Sequence, residues 1–400
     1  MSNSANAIAY TFAEARERVL AQVLLGKPAL ERVWLSEAVG RVLGEAIRAD
    51  RDMPPLPRSL RDGFVVHAQS RDGAWDVAGE IKAGQMPMRA LAPGEAFAIM
   101  TGAIVPDSAA AVIMKEHVTR EGSVVRADRA FQSREWISEA ASMAQSGAVL
   151  AEVGALIDAS LVALLATVGQ SQVTVAQKPI VRILSTGDEV LDIARQPNPT
   201  QVRNSNAWAL AAEVQRFGGA AEILPIAPDE EKATRELIAY GLGADLLLIS
   251  GGVSAGDYDF VEVALAHLGA EFYFDRVKIQ PGQPTVFGRA KDTFFFGLPG
   301  NPLSTWVTFR IFALAALERL SGRTVPSQQF SFAPAKEPIA HKPGLTRFLP
   351  GQRHADGSVS LLPWQGSGDI PALARANVIL VLDAERESWA AGDWLEVMTK

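Results

Sequence analysis

Cysteine is absent from the 400-residue chain. Its absence excludes disulfides, thiolate nucleophiles, iron–sulfur clusters and cysteine-ligated zinc. Histidine is scarce: His67, His117, His267, His341 and His354 are the full set, and no two stand three or four residues apart. A histidine-rich metal site is therefore not expected. No run of about 18 apolar residues occurs, so no membrane-spanning helix is expected. The opening MSNSANAIAYTFAEARERVL has no basic start and no sustained apolar stretch. It does not read as a signal peptide, and the cytoplasm is the expected location. Basic blocks are missing too. With 38 Lys+Arg against 45 Asp+Glu, a net charge of −7, the chain carries no electrostatic footprint for nucleic acid. No G-x-G-x-x-G opens a helix and no G-x-x-x-x-G-K-[ST] is present, which disfavours a dinucleotide Rossmann site and a Walker loop.

What is present is an ordinary globular composition, 48% hydrophobic and 21% charged. At roughly 150 residues per domain, this length predicts two to four domains. Thr11 and Glu14 have capping-box spacing, and Phe12, Ala15 and Val19 share a helical face, so a helix is predicted from about Thr11 to Leu25. A second amphipathic stretch runs from Leu30 to Ile47. RDMPPLPRS reads as an extended entry into a new unit, because prolines remove donors and disfavour helix. FVVHA, EAFAIM and AAVIMKE, between about 58 and 130, are short β-like runs. Leu150 to Val168 reads as helical and as a partner for the N-terminal helices. The expected organisation is a discontinuous helical domain (1–50 with 131–176), a β-rich domain (51–130), an α/β domain (177–322) and a C-terminal β domain (323–400). After Pro326 only short strands are expected.

Within 177–322 the pattern of apolar strand, Gly-rich polar loop and helix occurs three times. Such alternation predicts a parallel sheet whose post-strand loops gather at one edge, where ligands bind. Asp229 is placed as an N-cap before the helix that ends near Gly241. The first loop, STGDE, offers Thr186, Gly187 and the carboxylates Asp188 and Glu189. The second, GGVSAGDYD, offers the amides of Gly251 and Gly252, with Ser254, Asp257 and Asp259. The third, GLPGNPLS, offers Pro299, Gly300, Asn301, Pro302 and Ser304 at a helix start. Backbone N–H groups at helix starts suit phosphate-like anions. Nearby carboxylates suit Mg²⁺, which shares oxygen ligands with substrate phosphates. Two carboxylates one residue apart, as at Asp257 and Asp259, repel unless something neutralises them. The loops together point to a phosphorylated ligand with a metal ion.

STGDE, SNAWAL, SGGVSAGDYD, QPGQP and GLPGNPLS, in that order, resemble the molybdopterin molybdenumtransferases. That family includes the bacterial molybdenum-insertion proteins and the E domain of gephyrin-type proteins. MPPLPRSLRDGFVV, IMTGAIVPDSAAAVIMKE and QGSGDIPALARANVILVL extend the resemblance over nearly the whole chain. The resemblance implies an α/β multidomain architecture. A central parallel α/β molybdopterin-binding domain would be flanked by a helical N-terminal domain, a small β-rich domain and a C-terminal β domain. It implies molybdenum insertion into adenylylated molybdopterin with release of AMP, molybdate as co-substrate and Mg²⁺ as cofactor. A homodimer is implied, with the site between the α/β domain of one subunit and the β-rich domain of the other. Handover partners would be a molybdopterin adenylyltransferase and molybdoenzyme chaperones. By position, the resemblance makes Asp62, Thr101, Glu189, Asp229 and Asp259 catalytic. It makes Asp257, Asp259 and Glu189 metal ligands, and Ser304, Ser367 and the Pro299–Pro302 turn part of an anion pocket. Asp62, Thr101 and Ser304 also have local readings, as turn or cap residues.

The family's K-P-G-K-P stands here as Gln280-Pro281-Gly282-Gln283-Pro284, with Arg276 and Lys278 just upstream as replacement cations. Met143 stands where the family carries an acid, Pro350 where it carries Arg (Arg347 is near), and Phe64 where it carries Tyr. The acidic half of the site is thus better preserved than the anion half. Two alternatives stand beside the transferase: a diverged, non-catalytic paralogue that binds a pterin-type ligand or acts as a scaffold, and a serine hydrolase. The second rests on Gly252–Gly256 matching G-x-S-x-G around Ser254. A fluorophosphonate probe separates it: no labelling of the wild type is expected, and covalent labelling abolished by Ser254→Ala would establish the hydrolase.

Overall fold

Thr11 and Glu14 open the first helix as their spacing predicts. The Thr11 hydroxyl accepts from the Glu14 N–H at 3.3 Å, and the Glu14 carboxylate accepts from the Thr11 N–H at 2.8 Å. Two donors that a helix start leaves unpaired are thereby satisfied. Helix α1, Phe12–Gln22, buries Ala15 and Val19 completely and sets Phe12 against Phe312, Phe330 and Phe348. The computed structural model describes residues 9–24, 26–70, 72–252, 260–327 and 329–400. Its contacts divide the chain into two units: one of Met1–Gly44, Val153–Ala159 and Gln172–Lys400, the other of Glu45–Glu152 and Ser160–Ser171.

The amphipathic stretch from Leu30 is not a second helix. Leu30–Trp34 is a strand paired antiparallel with Gln172–Ala176, followed by a single 3₁₀ turn at Leu35–Glu37. A ladder partner about 140 residues away claims the backbone, and tertiary pairing overrides local periodicity. The stretch read as helical from Leu150 is helical only in α2, Ala159–Thr167, and is preceded by a strand at Val149–Ala151.

The second unit is built on a six-stranded sheet that uses the runs read as β-like: Gly63–His67, Glu95–Ile99 and Ala109–Met114. Its side chains alternate between two cores, with register shifts at Val66/His67 and Val77/Gly79. Val65, Phe97, Ile99 and Val112 enter one core, while Phe64, Val66, Ala96 and Ile113 enter the other.

The first unit carries a sheet of β1 (Ile180–Ser185), β2 (Ala220–Ile223), β3 (Leu246–Ser250), β4 (Glu271–Phe274), β5 (Val286–Ala290) and β6 (Thr293–Leu298), in the order β2-β1-β3-β6-β5-β4. The four strands β2, β1, β3 and β6 are parallel, as the strand–loop–helix alternation predicts. β5 alone runs antiparallel to its neighbours β6 and β4, a departure from the all-parallel expectation. Only Lys291 and Asp292 separate β5 from β6, and a link that short permits no crossover. α3 (Ser205–Arg216) and the helical segments between Pro302 and Leu320 pack on one face against Val181, Ile183, Leu246, Leu248, Phe294 and Phe296. α4 (Glu231–Gly241) and α5 (Phe260–His267) cover the other face, against Leu184, Leu247, Ile249 and Phe295. Each fully buried side chain of this size contributes about 1.5–3 kcal/mol relative to exposure.

The remaining helices are α6 (Pro302–Thr308), a π-turn at Phe309–Ala313 and α7 (Leu314–Leu320), which run on as one rod, and α8 (Ile370–Arg375). α8 contradicts the expectation of strands alone after Pro326. Its start follows helix chemistry: Asp369 accepts from the Ala372 N–H at 2.8 Å and Pro371 lies in the first turn. The C-terminal sheet runs Ile279–Gln280, Thr346–Arg353, Val378–Leu382, Trp394–Thr399, Phe330–Pro334. Its edge strand is therefore borrowed from the middle of the chain.

Inside this unit Arg310, 2% exposed, ties three elements together. Its Nη1 lies 3.5 Å from Glu213 Oε2 on α3, and its Nη2 donates to the Thr399 carbonyl at 2.8 Å. The Trp306 indole N–H donates to the other Glu213 oxygen at 3.2 Å. Burial pushes the Arg310 pKa down and Glu213 pulls it back up, while guanidinium remains charged throughout the working range. Removing one partner strands a buried charge. Glu213→Ala should cost about 3–5 kcal/mol in urea unfolding, and the double variant Glu213→Leu/Arg310→Met much less.

Candidate functional site

The order β2-β1-β3 contains a reversal. The chain leaves β1 for one side of the sheet and returns to β3 on the other, and a crevice opens between the carboxyl ends at such a point. Three loops converge there by backbone contact. The Thr186 N–H donates to the Ser250 carbonyl at 3.1 Å, and the Gly251 N–H to the Leu298 carbonyl at 3.0 Å. Gly251 has φ +92°, and a Cβ on it would stand 3.0 Å from both Thr186 oxygens. Gly252, φ +64°, would place a Cβ 2.9 Å from Thr186 Oγ1. Glycine at these two positions answers both a left-handed backbone and a close approach.

Asn206, at the start of α3, donates from its amide to Ser250 Oγ and to the Gly300 carbonyl, both at 2.8 Å. Asn204 caps α3, accepting from the Ala207 N–H at 3.2 Å and from the Ser185 hydroxyl at 2.9 Å. These side chains tie the ends of β1 and β3 and the loop after β6 to one helix start. Asn206 stands in the SNAWAL motif, but neither side chain was expected at the site, although Asn204-Ser205-Asn206 at a strand–helix junction is a cap signature.

The loops surround a cavity of ≈ 950 Å³. Of the residues proposed from sequence, Thr186, Gly187, Glu189, Asp229, Gly251, Gly252, Pro299, Gly300, Asn301 and Pro302 line it. Arg203, not proposed from sequence, lines it too, as do Pro284 and, from the C-terminal segment, Gly368 and Ile370. Asp188 and Asp229 are laced together: the Asp229 N–H donates to Asp188 Oδ1 at 3.1 Å, and the Asp188 N–H to Asp229 Oδ2 at 3.5 Å. Asp229 is not the N-cap of α4; Glu230 holds that place, without a side-chain cap bond. The Asp229 side chain faces the β1 loop instead.

Other residues lie elsewhere. Ser304 is buried in the first turn of α6 and is absent from the cavity lining. Ser367 contributes its carbonyl, which accepts the Leu303 N–H at 2.9 Å. That bond uses a first-turn donor of α6, and Pro302 has none to give. Arg276 and Lys278 are exposed and outside the lining, with the Lys278 N–H bonded to the Tyr10 carbonyl at 2.7 Å. Gln280 pairs with Arg347 on the edge of the C-terminal sheet, and Pro350 lies within the strand Thr346–Arg353 of that sheet. Ser254, Asp257 and Asp259 lie outside the described residues. Two histidines available to a Ser254 triad have partners within the C-terminal segment: His341 Nε2 lies 2.9 Å from the Asp383 carbonyl, and His354 Nε2 2.9 Å from Ser360 Oγ.

Asp62 and Thr101 belong to the other unit and are bonded to each other. Asp62 Oδ1 accepts from the Thr101 N–H and from its hydroxyl, both at 2.8 Å. Gly63 begins a strand rather than a turn, and a Cβ there would meet the Ile113 carbonyl at 1.9 Å.

A multidomain α/β protein with an oxygen-rich, mixed-charge cavity at the reversal point of a parallel sheet is the class defined so far. Residues 10–169 match the family model described as MoeA N-terminal region (domain I and II), residues 182–319 that of the "Probable molybdopterin binding domain", and residues 333–400 that of the MoeA C-terminal region (domain IV). A relative from Bacillus subtilis strain 168, named molybdopterin molybdenumtransferase, is 32% identical over 383 residues, covering 92% of this chain and 89% of its own. One of the same name from Nostoc sp. is 32% identical over 368 residues, covering 88% of this chain and 84% of its own. The crystal structure of the molybdopterin biosynthesis moeA protein from Pyrococcus horikoshii OT3 aligns at TM-score 0.82 and 26% identity, over 98% of this chain and 100% of that one. The chain belongs to the molybdopterin molybdenumtransferase family.

The Asp62 tie carries a pH signature. The Thr101 N–H, then its hydroxyl, hold the Asp62 carboxyl below the ordinary carboxylate range. A lowered folded value gives stability that is present above the unfolded value, about 3.9, and is lost as pH falls through the lower folded one. In urea titrations across pH, the stability difference between wild type and Asp62→Asn should be constant near neutrality and shrink below about pH 4.

Proposed function

We propose that this chain inserts molybdenum into adenylylated molybdopterin and releases AMP. The observation that carries the reading is the ≈ 950 Å³ cavity at the reversal point, with Glu189 and Asp229 in its wall, in a chain of this family. Its size suits a ligand larger than a mononucleotide, and its backbone N–H groups and hydroxyls suit a pyrophosphate. Two bare carboxylates would repel such a ligand, so the arrangement calls for a cation between them and the phosphates. Mg²⁺ fits the donors: they are all oxygen, and Mg²⁺ is commonly held by one or two carboxylates with substrate phosphates completing the shell. Among the described residues no group of three or more acidic or histidine side chains is assembled. Glu189 would hold the ion, with Asp257 and Asp259 as further proposed ligands, and the ion would offset charge developing on the pyrophosphate.

The chain's own groups do the rest. Asp188 and Asp229, bonded each to the other's backbone, hold the β1 loop at a fixed height over the sheet. The Thr186 hydroxyl and the Gly252 amide face the phosphates, Gly187 and Gly251 line the wall with their N–H groups already bonded to the Ala227 and Leu298 carbonyls, and the Pro299–Pro302 turn closes it. A carboxylate in this wall can accept a proton from the attacking water. Asp62 and Thr101 are assigned catalytic roles in the same reaction. The reading includes a homodimer and receipt of the ligand from a molybdopterin adenylyltransferase.

A second reading, ligand binding without metal insertion, is favoured by Gln280 and Gln283, neutral where the family carries lysine. One experiment separates the two. Purified protein is incubated with adenylylated molybdopterin, Mg²⁺ and a molybdate titration, and AMP release and metal insertion are followed together. Molybdate-dependent AMP release with cofactor formed is expected, and Gln280→Lys should raise the rate at low molybdate. Tight binding with no molybdate-dependent release would establish the second reading.

A further inference from the structure

We propose that Arg203 is the oxyanion-binding residue of the cavity. The inference rests on the functional reading above, and it concerns which side chain supplies the positive charge that reading needs. Among the described residues that line the cavity, Arg203 is the one cation, beside two anions, Glu189 and Asp229. The short parallel pair Val190–Leu191 and Val202–Arg203 holds it in place, and the Val202 N–H bonds to the Glu189 carbonyl at 2.8 Å. The strand thus binds Arg203 to the acidic loop through its backbone.

The side chain is not neutralised by that loop. Its Nε donates to the Arg195 carbonyl and its Nη2 to Gln196 Oε1, both at 3.0 Å. Both acceptors are uncharged, and Arg203 has no ion pair among the described residues. Two of the five N–H donors of a guanidinium are engaged and the full charge remains. A tethered, charged fork with donors to spare is prepared for a tetrahedral oxyanion, because little side-chain freedom is lost on binding. The residues expected to carry positive charge do not compete: Gln280 and Gln283 are neutral, and Arg276 and Lys278 are outside the lining.

The oxyanion has two sources, the phosphate of the nucleotide ligand or free molybdate, and the same calorimetric titrations distinguish them. Full-length protein is titrated with AMP plus Mg²⁺, with sodium molybdate and with adenosine. The wild type is compared with Arg203→Ala, Arg203→Lys and Arg203→Gln. A weakening of about tenfold or more for AMP in Arg203→Ala, partly restored in Arg203→Lys and with adenosine unchanged, assigns the phosphate. The same pattern for molybdate alone assigns the metal oxyanion. Arg203→Gln keeps an amide for the tether and loses the charge, so it should behave as Arg203→Ala. Unchanged AMP and molybdate binding in Arg203→Ala overturns the inference and leaves the functional reading standing. Equal loss of adenosine binding also overturns it, because Arg203 would then only shape the loop. If the wild type binds neither oxyanion, the functional reading fails and this inference fails with it.

Discussion

The candidate site depends on the parallel alignment of β2, β1, β3 and β6. Parallel neighbours cannot be joined by a tight turn, so each strand must send the chain across a face of the sheet before the next begins. The carboxyl ends then share one edge. Three loops distant in sequence arrive at that edge together, and the reversal between β1 and β3 opens the space they enclose. Burial enforces the alignment. Alternate residues of β1, β3 and β6 enter two different cores, so a slip of one residue would exchange the contents of both faces.

Loop packing at this edge is backbone against backbone. Gly251 and Gly252 approach Thr186 more closely than side chains allow, and Asn206 spends its amide on Ser250 and Gly300. The polar groups that shape the cavity are therefore largely distinct from those that face a ligand. Such a division suits a site that must hold anions in fixed positions: the supporting bonds lock the loops, and the remaining donors and carboxylates are left for chemistry. The C-terminal segment takes part through the Ser367 carbonyl on α6 and through Gly368 and Ile370 in the wall. At the far end of α8 the Lys400 ammonium binds the carbonyls of Leu373, Ala374 and Ala376, which steadies the helix that begins at the cavity.

Charge is distributed unevenly over this framework. The buried Arg310–Glu213 pair is structural, joining α3, the long helical rod and the last strand. Exposed charge at the cavity is different in kind, with Glu189 and Asp229 left without a cationic partner among the described residues and Arg203 left without an anionic one. Opposite charges that line one cavity without pairing retain their full fields for a ligand.

The residues alone carried much of this. The T-x-x-E cap, the apolar runs at 180–184 and 245–250, the Gly-rich loops after them and the order of the motifs are all local patterns. A local pattern survives folding when burial agrees with it. The α/β core, the lining residues from Thr186 to Pro302 and the family could be read in that way. Long-range competition decided the rest. Leu30–Trp34 became a strand because Gln172–Ala176 offered it a ladder. Ile279–Gln280 joined the C-terminal sheet because Thr346–Arg347 offered it a partner. Asp229 turned from a helix cap to a loop lock because Asp188 stood within reach. Arg203 and Asn206 acquired their places because strand pairing and helix docking brought them to the crevice. No window of neighbouring residues encodes these outcomes, since each depends on which distant partner buries and bonds it best; only the folded chain makes that choice.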